Sequence, residues 1–285
     1  MTMTRAEKIK IRAERVRQRI LRAETAKLAA NTTTTTTTVE YAEIPKEELT
    51  LEIMIHCYHY EKRLCWMLSS LVQQIGDAPN MIVNISHAPN TGNPTTEEVI
   101  NFFREKGLDI KETLVTQEQV SNRAIARNKQ STETNADWVL FSDSDMVFDP
   151  MFFDDLQKQL KTNLKNTQLV MGADRHSLDD KFCIQYFEQD NTTYPTEIKD
   201  VSKIVSQWKI KWVHGAGTVA GNFQLISGKV LKEKCGGLVT GRPRDHWRRT
   251  RGDRALRVRV GGRIGIKTLP MFHLNHDRLG PEIQR

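Results

Sequence analysis

The sequence of 285 residues is 38% hydrophobic, enough for one sizeable core and a small appendage. No apolar run approaches the ~20 residues that cross a bilayer and the N-terminus lacks a signal-peptide pattern, so a soluble, cytoplasmic protein is expected. Four cysteines scattered without a C-x-x-C pair exclude a zinc or disulfide framework, and a formal charge of +7 suits an anionic partner such as a nucleotide, a nucleic acid or an acidic surface.

Residues 1–31 are rich in Ala, Arg, Lys, Glu and Leu, with a thin apolar stripe of Ile9, Ile11, Val16, Ile20 and Leu21. This predicts a basic, exposed helical leader, either simply solvated or resting on a membrane surface, a nucleic acid or another copy. Seven threonines at 32–38 mark a low-complexity linker over 32–48, and the folded domain is expected at 49–285.

From residue 49 short apolar runs alternate with longer amphipathic ones, the pattern of an α/β domain with a largely parallel sheet. Strands are predicted at 51–57, 81–85, 110–115 and 137–142, and helices at 61–74, 96–105 and 120–133. Leu64, Leu68, Leu71 and Val72 share a face of the first helix, and Thr95-Thr96-Glu97-Glu98 is a capping signal for the second. Three β-α units therefore deliver Asp143 to the carboxyl edge of a sheet, where ligands of open α/β folds bind.

Asp143-Ser144-Asp145 is a weak motif by itself, since about one such triplet arises by chance in a chain of this length. Its position carries more. The triplet comes one residue after Trp138-Val-Leu-Phe141 and precedes Met146-Val-Phe-Asp-Pro150, placing two acids on the tip of a buried strand. Carboxylates there repel each other and lose hydration, and a hard dication bridging them to phosphate oxygens removes both penalties. The structural alternative is a helix cap or a surface turn.

Taken in order, these segments resemble the inverting family-2 glycosyltransferases of the GT-A fold. Residues 53–74 resemble the family's opening strand and helix, with its Leu-Ser-Ser-Leu-Val-Gln run at 68–73. Ser121-Asn-Arg-Ala-Ile-Ala-Arg-Asn128 resembles the helix that ends in Ala-Arg-Asn before the metal strand, and Phe141 to Pro150 the Asp-x-Asp segment itself. The resemblance spans about residues 50 to 278. It implies a nucleotide-sugar donor, a UDP-sugar favoured, with Asp145 and, through water, Asp143 on manganese or magnesium at the diphosphate. Arg127 and Asn128 would lie near the nucleotide, although an ordinary helix end also explains them. The family's acidic residue after the second strand, which recognises the base, is missing from Ile82-Val-Asn84-Ile-Ser86-His.

In the second half, the small-residue run 214–224 resembles the loop between donor and acceptor sites and nominates Gln224 and Asn222 for sugar contacts; a tight turn explains it too. Gly252-Asp253-Arg-Ala-Leu256-Arg-Val-Arg259 resembles the segment whose aspartate is the catalytic base. Asp253 takes that position and Asp245 is the rival, while an N-cap carboxylate accounts for either. His273 and His276 resemble the family's extra metal ligand, His276 being preferred. Nine arginines between Arg242 and Arg263 form either a solvated face or a wall for an anionic acceptor, so a carbohydrate or a modified nucleic acid remains open. Two other classes stay in view: a metal-dependent nucleotidyltransferase and an inactive sugar-nucleotide-binding scaffold.

Overall fold

The computed structural model describes residues 49–162, 169–171, 174–214, 222–236, 256, 258–260, 265–266 and 269–275. The leader, the linker, Asp245, Asp253 and His276 lie outside them. Strand β1 (Thr50–His56) is followed by α1 (Glu61–Val72), β2 (Asn80–His87), α2 (Thr96–Glu105) and β3 (Ile110–Leu114). Next come α3 (Gln117–Val120), α4 (Arg123–Glu133), β4 (Trp138–Asp143), β5 (Met146–Phe148), α5 (Phe152–Thr162), β6 (Leu169–Met171) and β7 (Arg175–Leu178). The described elements end with α6 (Asp180–Gln189), α7 (Val201–Ser206), β8 (Ile210–His214), β9 (Phe223–Ser227), α8 (Gly228–Cys235) and β10 (Met271–His273).

The expected alternation of strands and helices is present, with one difference. The single helix predicted at 120–133 is divided, because Asn122 takes a non-helical conformation and its side chain accepts the Ala124 N–H at 3.1 Å. Asparagine competes with the helix in this way and favours caps. Helix α2 starts as its sequence predicts: Thr95 Oγ1 accepts from Glu98 N at 3.3 Å and Glu98 Oε2 accepts from Thr95 N at 2.7 Å, a closed capping box.

The main sheet runs β3-β2-β1-β4-β9-β6. Its first four strands are parallel, while β9 is antiparallel to both β4 and β6. The chain builds outward from β1 through β2 to β3, then returns to place β4 on the other side of β1. That reversal opens a crevice at the carboxyl ends of β1 and β4, where His56 and Asp143 are register partners. A second sheet runs β5-β10-β7-β8.

Period two decides what each face of β1 meets. Leu51, Ile53 and Ile55 pack with Leu64, Leu68 and Leu71 of α1, Val99, Ile100 and Phe103 of α2, and Phe152, Phe153 and Leu156 of α5. Met54, on the other face, joins Val139, Phe141, Ile226, Leu231, Leu256 and Val260. That face also holds a buried polar seam beneath α4. Asn84 Nδ2 donates to Glu52 Oε1 at 2.7 Å, Thr113 Oγ1 to Asn84 Oδ1 at 2.8 Å, and Gln130 Nε2 to the Asn84 carbonyl at 2.7 Å. Asn84, in the middle of β2, is thus committed to the interior. Among the described residues no helix is long and apolar enough to cross a membrane, and all four cysteines are free and buried.

Helix α8 begins at a point that admits no side chain. A Cβ on Gly228 would lie 2.0 Å from the Ala136 carbonyl oxygen, and Gly228 N donates to Asp137 O at 2.8 Å, so backbone faces backbone. Gly228→Ala should lower the unfolding free energy by about 1–3 kcal/mol, as overpacking does. Urea denaturation checks this, and an unchanged midpoint would contradict the packing described.

Candidate active site

The crevice between β1 and β4 collects most of the charged groups the sequence nominated. Asp143 ends β4, and α4 aims two arginines at it. Arg123 Nη1 donates to Asp143 Oδ1 at 2.6 Å and Arg127 Nη2 to the same oxygen at 3.2 Å. They reach one atom because they stand four residues apart on one helix face. Arg127 is only 3% exposed and its guanidinium lies 5.5 Å from the centre of the Phe141 ring. Burial, then the charge of Arg123, pushes the His56 imidazole down to about 3, so it is neutral near pH 7 and adds nothing to the positive charge there. Asn128 is half-buried on the same helix.

Asp145 lies two residues beyond, where the chain passes from the first sheet to the second. It is buried, and its Oδ2 is 3.1 Å from His273 Nε2. The other side of the histidine is fixed by Asn275. Asn275 Nδ2 donates to Asp180 Oδ1 at 2.7 Å and to the Leu178 carbonyl, which turns Asn275 Oδ1 toward His273 Nδ1 in a short contact. The ring is thus held between Asn275 Oδ1 on one side and the Asp145 carboxylate on the other. A carboxylate oxygen with an imidazole nitrogen oriented by a partner on its far side is a donor pair suited to a divalent first-row ion, and the residues fit such an ion. Among the described residues no three His, Cys, Asp or Glu side chains gather as a fuller ligand set.

A family model for glycosyl transferase family 2 matches residues 52–208, more than half of the chain, which takes in His56, α4, Asp143 and Asp145 but not His273 or Asn275. The chain belongs to glycosyltransferase family 2. No curated protein matches it. Among solved structures, the mannosyltransferase PcManGT of Pyrobaculum calidifontis, in complex with GDP-Man and Mn2+, is 13% identical. The match covers 85% of this chain and 61% of that one, with a TM-score of 0.51. TarS 1–349 of S. aureus in complex with UDP-GlcNAc is 14% identical over 65% of this chain and 47% of its own, with a TM-score of 0.43. Glucosyl-3-phosphoglycerate synthase of M. tuberculosis is 15% identical over 66% and 60%, with a TM-score of 0.37. The chain spans about half the length of the TarS chains it matches. With the family established, the likeness to the mannosyltransferase identifies the fold of this family-2 domain as GT-A.

The structure brings Asp143, Asp145, Arg127 and His273 to one crevice, with Asn128 on the helix beside it. Gln224 is placed differently from a surface contact residue: it sits on β9 in register with Phe141, is wholly buried, and neither atom of its amide has a hydrogen-bond partner. Asn222 Oδ1 is likewise buried without a partner. Arg123, His56 and Asn275 escaped the sequence reading. The four-residue spacing of Arg123 and Arg127 was the available signal for the first; the other two depend on strand pairing that the sequence does not display.

A buried amide with both ends unsatisfied is a standing cost of about 1–3 kcal/mol, kept here beside the crevice. Gln224→Leu should therefore stabilise the fold by about that amount. A thermal or urea unfolding series reads the change, and a destabilised variant would mean that the amide is satisfied in solution.

Proposed function

We propose that this family-2 domain is a metal-dependent, inverting glycosyltransferase moving a hexosyl or pentosyl group from a nucleotide-sugar donor, a UDP-sugar by preference, to a hydroxyl acceptor on a glycan or a modified nucleic acid. The observation that carries the reading is the close pairing of two groups of metal-ligating type, the Asp145 carboxylate and the His273 imidazole, with Oδ2 and Nε2 3.1 Å apart at the sheet's reversal point. PcManGT, solved with GDP-Man and Mn2+, supports a nucleotide-sugar and a divalent ion for the shared fold. Four buried free thiols suit a reducing cytoplasm.

In this reading Asp145 and His273, joined by His276 and by Asp143 through water, hold manganese or magnesium, which when bound supplies Lewis-acid help of several kcal/mol at the leaving diphosphate. Arg123 and Arg127 keep Asp143 oriented and leave positive charge beside the nucleotide, near Asn128. Gln224 turns its unsatisfied amide to the donor sugar. Asp253 accepts the proton of the acceptor hydroxyl as its oxygen bonds to the anomeric carbon, and the carbon–oxygen bond to the diphosphate breaks with its electron pair leaving on the nucleotide. Asp245 is the second candidate for that base.

Replacing Asp145 by Ala should abolish both sugar transfer and the metal-dependent part of nucleotide binding. Donor turnover that persists undiminished in EDTA would sink the mechanism. Asp253→Asn should cut transfer by about 10²–10⁴-fold while nucleotide affinity, followed by calorimetry, stays as it was; the same loss in Asp245→Asn alone would move the base to Asp245.

A further inference from the structure

Beyond the two carboxylates, the second sheet presents a face of which the donor reading uses only His273. Register pairs Arg175 with Met271 and His214, and Ser177 with His273 and Trp212, so His273, Arg175, His214 and Trp212 project from one face across three strands. The row starts at Asp145, which touches His273, and ends at Trp212 on the edge strand β8, where the indole is 52% exposed. Arg175 stands in the middle. Its Nε is buried with no hydrogen-bond partner, and among the described residues it makes no ion pair, unlike Arg123 and Arg127, which both end on Asp143. Burial acts against its charge, and Asp145 and then Asp143 favour it only from beyond contact distance. The neighbouring His214 is pushed toward its neutral form by burial, then by Arg175 and His273.

A half-buried guanidinium without a counter-ion is a site for one, since its fork of donors is costly to leave unmade and matches carboxylate and phosphate geometry. We propose that Arg175, flanked by His214, binds an anionic group, phosphate or carboxylate, on the acceptor, whose sugar or other flat face lies toward Trp212. The inference rests on the transferase reading. In a displacement the nucleophile enters opposite the leaving group. Arg123 and Arg127 mark the diphosphate's side on the parallel sheet, and Arg175 stands on the other sheet, along the row that leads out to solvent. The acceptor of this enzyme is thus acidic, and its charge sits next to the hydroxyl that reacts.

Inorganic phosphate, titrated calorimetrically into full-length protein already saturated with UDP or GDP and Mn2+, tests the assignment. Wild type should bind phosphate with the nucleotide in place. Arg175→Met should weaken phosphate by about tenfold or more, with nucleotide affinity unchanged within about twofold, and Arg175→Lys should recover part of the loss. Phosphate affinity that survives in Arg175→Met, or absent phosphate binding by the nucleotide-saturated wild type, overturns the proposal. A parallel loss of nucleotide affinity overturns it too, by assigning Arg175 to the donor diphosphate. Failure of the wild type to bind any nucleoside diphosphate is a separate result, read in the first titration, and would count against the transferase reading itself.

Discussion

Two guanidinium groups meeting on one carboxylate oxygen hold the crevice in shape. Arg123 and Arg127 approach Asp143 from the first two turns of α4, so the end of β4 and the start of that helix are tied at a single atom. Arg127 is nearly sealed from water, and stranding its charge would cost about 3–5 kcal/mol. The carboxylate is therefore held by what its removal would leave behind as much as by direct attraction. With β4 fixed there, the two residues that follow it have little freedom in where they carry Asp145.

The polar seam under α4 supports the same helix from its other end. Glu52, Asn84, Thr113 and Gln130 are all buried, and Thr134 at the helix terminus donates to Glu52 Oε2 at 2.5 Å. An apolar layer would bind α4 as strongly but would allow it to slide. A chain of directional bonds permits one rotation and one height, and only one rotation presents Arg123 and Arg127 to Asp143.

The first half of this architecture was legible because each strand and helix there has its own period. Leu51, Ile53 and Ile55 alternate, Leu64, Leu68 and Leu71 recur at helical spacing, and Thr95 with Glu98 announces the start of α2. The sheet was read as largely parallel. Strand β9, which runs against β4, is a short apolar segment whose direction no local pattern records. The second sheet was unreadable for a related reason: β5, β7, β8 and β10 have three to five residues each, and β10 pairs with β5 across a gap of more than 120 residues. His273 could be nominated only by resemblance. That its ring would be held by Asn275, and that Asn275 would be held by Asp180 and Leu178, follows from those pairings alone. Asp245, Asp253 and His276 lie outside the described residues, so their roles stand as proposals.

Asp143 closes the last residue of one sheet and Met146 opens the first residue of the other. The carboxylate pair is thus the joint between two sheets rather than a fixture on either. One acid is anchored to the parallel sheet by Arg123 and Arg127, and its partner to the smaller sheet by His273 and by the hydrogen bond from Leu274 N to the Asp145 carbonyl at 2.8 Å. Any tilt of the smaller sheet is read at this joint as a change in the spacing of the two acids. The separation of Asp143 and Asp145 thus depends on two anchors at once, one in each sheet.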